Sequence, residues 1–288
     1  MPLTLIKGHY RVLNSAPDGD SVRFYPSDPN AFRTANIRVH TNQAGGAQLR
    51  LDGVDALETH YQPPVSGFGV QHQPRRFGRA AASALLQFLG FTGVQRDQRE
   101  TVTSATPQQV QGYVLTRFGD QYGRCVAFAF KGSRSEPDLS PVVLDVPLLD
   151  QSANYELLQQ GLVYPTYYSK LYHDIRDAMT QTVTAARAAK RGLWARDAST
   201  TGFTVQDLKT LTDRAVIMPK LFRRLLDYIA LNDRNTSMAG FKAYLASRDD
   251  RLLILSTGHA TGFDYVVDVN GQRVSMNRPP EDLVFVEG

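Results

Sequence analysis

The chain has 288 residues, of which 42% are hydrophobic and 21% charged, which is ordinary for a globular protein with one large core or two smaller ones. It contains no apolar run near the roughly 20 residues that span a bilayer and no signal-peptide pattern at its start, so we expect a cytoplasmic protein. Its single cysteine, Cys125, excludes an internal disulfide and a cysteine-clustered zinc site. The formal net charge is +4, and residues 201–288 contain 11 basic and 11 acidic side chains, so the whole positive excess lies in residues 1–200 and favours a polyanionic partner such as nucleic acid.

Strands precede helices in the first 200 residues. A tight turn at Pro17-Asp18-Gly19-Asp20 separates two apolar-rich extended segments, and Phe77, Ala81 and Leu85 share one face of a predicted helix. This order favours an α+β domain built on a small barrel or sandwich. The predicted strands cover residues 5–13, 22–25, 49–53, 110–118 and 123–130, and the predicted helices cover residues 77–89, 154–160 and 175–186.

The pattern changes after Trp194. A short linker over residues 198–202 precedes Thr204-x-x-Asp207, whose capping-box spacing predicts the start of a helix, and Asn270-Gly271 is typical of a β-hairpin turn. We predict helices over residues 205–211, 221–229 and 238–245, a strand over residues 252–256 and a hairpin over residues 266–275. We therefore predict one domain over residues 1–200 and a small α/β accessory domain of unknown function, with three helices and a β-hairpin, over residues 201–288.

Charged residues gather at predicted strand ends and turns in three separate stretches. In Leu49-Arg50-Leu51-Asp52-Gly53, the side chain of Arg50 faces away from its apolar neighbours, and Asp55 and Glu58 follow where this strand ends. The other two stretches are Asp18-Gly19-Asp20 and Asp120-Gln121-Tyr122-Gly123-Arg124. Two carboxylates suit a hard cation such as Ca²⁺, a third can act on a water molecule, and two arginines can bind phosphate oxygens. Each stretch alone is more typical of a turn or a salt-bridged strand end, but together they supply the residue types of a metal-assisted phosphodiesterase.

The order of these motifs resembles the staphylococcal nuclease (thermonuclease-like) family. The resemblance covers about residues 5–197 and includes Asp-Gly-Asp-Ser-Val, Arg-x-x-x-x-Asp-x-x-Glu and Asp-x-Tyr-Gly-Arg, followed by Gly161-Leu162-Val163 and Gly192-Leu193-Trp194. Membership of this family implies a five-stranded OB-fold barrel with packed helices. It also implies a calcium-dependent nuclease that hydrolyses phosphodiester bonds of DNA or RNA by in-line attack of water.

The resemblance further implies a role for each matching residue. The metal ligands would be Asp20, Asp55 and the backbone carbonyl of Ala56, with Asp18 in the outer shell of the Ca²⁺ ion. The catalytic residues would be Glu58, which acts on the attacking water, and Arg50 and Arg124, which bind the phosphate. Tyr122 and Tyr167 would line the nucleotide pocket.

Two functions remain open at this point. The first is the nuclease, with single-stranded DNA, RNA and fraying duplex DNA all open as substrates. The second is a non-catalytic nucleic-acid-binding or protein-interaction module on the same barrel, although such modules usually lose the charged residues that this chain retains. For residues 201–288 the hypothesis is that they restrain the enzyme or select its partner.

Overall fold

The computed structural model describes residues 2–286, and five of its strands close into a barrel. In chain order, the strands before residue 200 are β1 (Pro2–Tyr10), β2 (Ser21–Pro26), β3 (Ala47–Leu51), β4 (Val54–Asp55), β5 (Thr92–Arg96), β6 (Val102–Thr106), β7 (Val110–Gly119), β8 (Cys125–Lys131), β9 (Pro141–Val143), β10 (Tyr164–Pro165) and β11 (Tyr167–Tyr168). The barrel runs β1–β2–β3–β8–β7 and closes where β7 pairs with β1, and β3 and β8 are its parallel pair. The predicted α+β fold with a five-stranded OB-fold barrel is confirmed.

The alternation of β3 determines which side chains leave the barrel. Leu49 and its register partner Cys125 are fully buried inside, as expected for apolar residues of period two. Arg50 and its partner Val126 point the other way and line a cleft on the outside of the barrel. The strand thus holds the Arg50 side chain on a rigid element.

Five α-helices accompany the barrel within residues 2–200. Helix α2 buries Ala81, Leu85 and Leu89 along one face, and it ends at Gly90, whose φ of +110° a residue with a side chain rarely adopts. The predicted helices at residues 77–89, 154–160 and 175–186 are confirmed within a few residues. The helices before residue 200 are α1 (Ala31–Thr34), α2 (Arg75–Leu89), α3 (Val146–Leu149), α4 (Ala153–Gln159) and α5 (His173–Ala188).

Residues 201–286 add further helices and two small sheets. These elements are α6 (Pro219–Leu231), α7 (Phe241–Ser247), α8 (Phe263–Val266), β12 (Phe203–Thr204), β13 (Arg251–Ile254), β14 (His259–Gly262), β15 (Val267–Asn270), β16 (Arg273–Met276) and β17 (Leu283–Phe285). The hairpin predicted at Asn270-Gly271 is confirmed as β15 and β16. Strand β17 pairs in parallel with β11, which belongs to the first 200 residues. The division into domains at residue 200 stays a prediction.

The capping box predicted at Thr204 is wrong. Thr204 lies in β12, where it pairs with Arg273, and the first helical turn after it begins only at Leu208. Asp207 caps that turn instead, because its Oδ1 accepts the backbone N–H of Thr210 at 2.8 Å. Pairing with β16 therefore prevails over the local helix signal. Within residues 2–286, no helix is both long enough and apolar enough to cross a bilayer.

Candidate active site

A cleft of about 680 Å³ lies between the outer face of the barrel and helix α6. Its barrel side carries carboxylates and arginines that come from strand ends, whereas its α6 side is rich in cations. The charged and aromatic residues that line it include Asp18, Asp20, Arg50, Glu58, Tyr122, Arg124 and Tyr168 on one side, and Lys220, Arg223, Arg224 and Asp250 on the other. Three of the predicted stretches thus meet in one place.

Arg50 joins two of the predicted metal ligands. Its Nη1 donates to Asp20 Oδ2 at 2.9 Å and its Nη2 donates to Asp55 Oδ1 at 3.3 Å. Asp20 stands directly before β2, which pairs with β3, and Asp55 is fixed in β4 by pairing with Tyr164. The backbone N–H of Ala56 also donates to Asp20 Oδ2, at 3.3 Å. Sheet pairing therefore brings together residues that lie far apart in the sequence.

Glu58 and Asp18 are held by the loop that follows β4. The backbone N–H of Glu58 donates to Gln73 Oε1 at 3.1 Å, and the Gln73 N–H donates back to the Glu58 carbonyl at 2.8 Å. The Asp18 carboxylate accepts the Thr59 hydroxyl and lies 3.8 Å from His60 Nδ1. Both acidic groups therefore have defined positions at the cleft.

Burial and neighbouring charges together shift the pKa values of these carboxyl groups in different directions. Burial raises the pKa of Asp20 to about 7, against the attraction of Arg50 and with the added repulsion of neighbouring carboxylates. It also raises the pKa of Glu58, although Arg223 pulls this pKa down. For Asp55, burial acts in the same direction, but Arg223 and Arg50 outweigh it and lower the pKa. The two arginines thus do not fully compensate the cost of burying so many carboxylates, and a bound cation would reduce that cost.

The donor set fits a hard cation in kind. Carboxylate and carbonyl oxygens are what Ca²⁺ prefers, and the implied set of Asp20, Asp55 and Ala56 needs only two side chains. Within residues 2–286, no three histidine, cysteine or carboxylate side chains converge on one metal position. Guanidinium groups contact the acidic oxygens instead.

Arg124 and the two predicted tyrosines lie in different surroundings. Arg124 lines the cleft, but its Nε donates to Asp120 Oδ2 at 2.7 Å, and its guanidinium lies 5.5 Å from the centre of the Tyr122 ring. Tyr122 is 68% exposed at the mouth of the cleft. Tyr167 is fully buried with its hydroxyl 3.0 Å from that of Thr180, and the neighbouring Tyr168 lines the cleft. The structure therefore brings Tyr122 to the cleft and keeps Tyr167 in the core.

Sequence reasoning missed a third arginine, Arg223 on α6. Its Nη2 donates to Asp55 Oδ2 at 2.8 Å, and its Nη1 lies 3.4 Å from Asp55 Oδ1 and donates to Glu58. Lys220, Arg223 and Arg224 lie on one face of α6, opposite its buried apolar residues. This charged stripe is visible in the sequence, but the sequence does not reveal which surface the stripe meets.

Side chains from both parts of the chain hold α6 against the cleft. The Tyr61 hydroxyl donates to Asp227 Oδ1 at 2.8 Å, and Gln73 Nε2 donates to the Ile217 carbonyl at 2.8 Å. Gln73 also fixes the backbone of Glu58, so one side chain contacts both the candidate site and the segment that leads into α6. The C-terminal region is therefore part of the site's structure.

Comparison with known families matches residues 48–196 to the family described as staphylococcal nuclease homologue. The match spans about half of the chain and includes Arg50, Asp55, Glu58 and Arg124. Asp18, Asp20 and Arg223 lie outside it. No curated protein matches the chain with significance.

Proposed function

Because the chain belongs to the staphylococcal nuclease family, we propose that it is a calcium-dependent nuclease that hydrolyses phosphodiester bonds of DNA or RNA. The observation that carries the proposal is the pairing of Asp20 and Asp55 with Arg50 at a cleft of about 680 Å³ that Glu58 also lines. These groups come from separate segments, and the family's motifs account for each of them.

Asp20, Asp55 and the carbonyl of Ala56 would hold the Ca²⁺ ion, with Asp18 nearby. When bound, the ion supplies positive charge next to the phosphate oxygens. The oxygen-only donor set and the raised pKa of Asp20 support this assignment.

The chain's own residues account for the remaining steps. The Glu58 carboxylate takes a proton from the attacking water, or orients that water, and its raised pKa makes it a better proton acceptor. Arg50 and Arg124 bind phosphate oxygens and stabilise the charge that develops while the new P–O bond forms and the bond to the leaving oxygen breaks. Tyr122, exposed at the cleft mouth, offers a face for stacking on a base.

A digestion experiment tests the proposal. Full-length protein is incubated with plasmid and with single-stranded oligonucleotides in calcium, and in parallel with a calcium chelator. We expect cleavage in calcium and none in the chelator. The Asp20→Ala variant should cleave neither substrate in calcium, which controls for a contaminating host nuclease. Cleavage that is equally fast in the chelator would overturn the calcium assignment.

The second candidate is a non-catalytic module that binds nucleic acid or a protein through the same cleft. The salt bridges of Arg223 favour it, because they occupy Asp55 and Glu58, the groups that a nuclease needs. This function predicts retention of an oligonucleotide in a gel-shift experiment without any cleavage in calcium.

A further inference from the structure

The guanidinium of Arg223 occupies the carboxylates that the proposed function assigns to the metal and to the attacking water. We infer that Arg223 is a built-in counter-cation that competes with the metal for Asp55 and Glu58, so that metal binding requires this side chain to move away. The inference rests on the proposed function and adds to it a residue from outside the matched family region.

Asp55 has no oxygen left for a metal while Arg223 is in place. Its Oδ1 lies 3.3 Å from Arg50 Nη2 and 3.4 Å from Arg223 Nη1, and its Oδ2 accepts Arg223 Nη2 at 2.8 Å. The residue is only 1% exposed, so solvent offers no other approach to it. The second contact of Arg223, to Glu58, extends the same guanidinium across the group proposed to act on water.

Size and charge make the two occupants mutually exclusive. A calcium ion takes its oxygen ligands at about 2.3–2.6 Å, which is closer than the guanidinium nitrogen stands now. A guanidinium in hydrogen-bond contact with the same oxygens would lie next to a doubly charged ion, and beside a carboxylate as buried as Asp55 water weakens their repulsion only a little. One of the two cations must therefore leave Asp55.

The Arg223 side chain can leave without undocking its helix. Helix α6 is anchored by Leu221, Phe222 and Leu225, which are fully buried. Separate polar contacts also hold it, since the Tyr61 hydroxyl donates to Asp227 on the helix and Gln73 Nε2 donates to the Ile217 carbonyl just before it. The open cleft beside Arg223 gives its long side chain room to turn.

Calorimetric titration of the full-length protein with CaCl₂ tests the inference, since it reports binding without any need for turnover. We expect Arg223→Gln to bind calcium about tenfold more tightly than the wild type, or better, which is within the usual range of coupling between two ligands. Arg224→Gln is the matched control. It removes the same charge from the next position of the same helix, but that residue contacts neither Asp55 nor Glu58, so its dissociation constant should change by less than about threefold.

A second readout is the rise in melting temperature on adding calcium, which should be larger for Arg223→Gln than for the wild type. Arg223→Lys serves if the glutamine variant does not fold. Lysine keeps the charge but cannot span both carboxylates as a guanidinium does, so its calcium affinity should lie between those of the wild type and Arg223→Gln.

Three results would overturn the inference in distinguishable ways. Equal or weaker calcium binding by Arg223→Gln, with binding by the wild type intact, refutes the competition and leaves the proposed function standing. A gain in calcium affinity in Arg224→Gln as large as that in Arg223→Gln also refutes the competition, because the general loss of positive charge would then explain both gains. An absence of calcium binding in every variant refutes the metal assignment of the proposed function and, with it, this inference.

Discussion

The two sides of the cleft are built in different ways. On the barrel side, Asp20, Arg50 and Asp55 belong to neighbouring strands or their ends, and sheet register brings them together. On the other side, α6 presents Arg223 from one face of a helix, across a sequence separation of 168 residues from Asp55. The first arrangement follows from local motifs that a family shares, and the second depends on how a separate segment docks. Under the two proposals above, the barrel side carries the chemistry and α6 supplies the cation that competes with the metal.

The largest expected effect tests whether the two sides are one structural unit. Phe222 is fully buried in α6 and packs edge-on against Tyr61, with ring centres 6.3 Å apart. We expect Phe222→Ala to lower the free energy of unfolding by about 3–5 kcal/mol, because it leaves a cavity in the core. Leu231→Ala on the same helix is the control, since Leu231 is 57% exposed and should cost less than about 0.5 kcal/mol.

Urea unfolding followed by the fluorescence of Trp194 makes this test sharper. Trp194 is the single tryptophan and lies before residue 200, where it packs against Tyr164. Its unfolding midpoint should fall together with the circular dichroism signal in Phe222→Ala. An unchanged Trp194 midpoint would mean that the barrel is energetically independent of residues 201–286, which would support the domain boundary predicted at residue 200.

The next effect concerns the barrel side alone. We expect Glu58→Gln and Arg50→Lys each to lower the rate of oligonucleotide cleavage in calcium by about 10²–10³-fold, because each removes a group that we propose acts in the transition state. The control is Glu136→Gln, which changes a glutamate paired with Arg134 at the surface away from the cleft. Wild-type rates in both site variants, with folding checked by circular dichroism, would contradict the assignment of chemistry to the barrel.

The barrel side was the predictable part, because its signals are local. The alternation around Arg50 and the turn at Asn270-Gly271 follow from short-range geometry, and both are confirmed. Thr204 shows the limit, since pairing with β16 replaced the helix start that its spacing indicates.

Long-range contacts decided the remaining features. A two-residue strand such as β11 has no alternation from which to tell whether Tyr167 or Tyr168 faces the cleft. Its pairing with β17 fixes that choice, and β17 lies more than 100 residues away in the chain. The pairing of Arg223 with Asp55 also depends on a long-range contact, because nothing near α6 in the sequence indicates that Arg223 will meet Asp55.

A smaller effect probes the charge of the α6 side. Lys220 Nζ donates to Asp250 Oδ1 at 3.1 Å and lies 4.4 Å from the centre of the Phe285 ring. Burial, with added repulsion from Arg224 and Arg223, lowers the pKa of Lys220 to about 8 in spite of Asp250. Below pH 8 the lysine is protonated in both states. Between about pH 8 and its ordinary pKa of 10.5, the folded protein releases the proton and the unfolded chain keeps it, so the stability contribution of this group rises with pH.

Relative to Lys220→Met, the wild type should therefore gain up to about 3 kcal/mol of unfolding free energy between neutral pH and pH 10. Urea titrations of both proteins between neutral pH and pH 10 give the difference between their unfolding free energies. The contributions of other titrating groups are common to both proteins and cancel in this difference. Lys220→Arg is the control, because its guanidinium stays protonated throughout and should show no such rise. If the difference in unfolding free energy between the wild type and Lys220→Met does not change with pH, Lys220 is solvated in the folded protein. The cationic side of the cleft would then be less tightly packed than its contacts indicate.

The smallest effect concerns the hydrogen bond that joins the two sides. Tyr61 follows Glu58 on the barrel side, and its hydroxyl donates to Asp227, which is 3% exposed on α6. Tyr61→Phe keeps the ring packing and leaves a buried carboxyl without this donor, so we expect a loss of about 2 kcal/mol in urea unfolding. Tyr265→Phe, at a residue that is 70% exposed, should change stability by less than about 0.5 kcal/mol.

A double-mutant cycle with Asp227→Ala isolates the contact between Tyr61 and Asp227. Because each single variant removes the same hydrogen bond, the double variant should lose less stability than the sum of the two single losses. Strict additivity would show that the bond does not hold α6 to the barrel, and the docking of Arg223 would then depend on the apolar face of the helix alone.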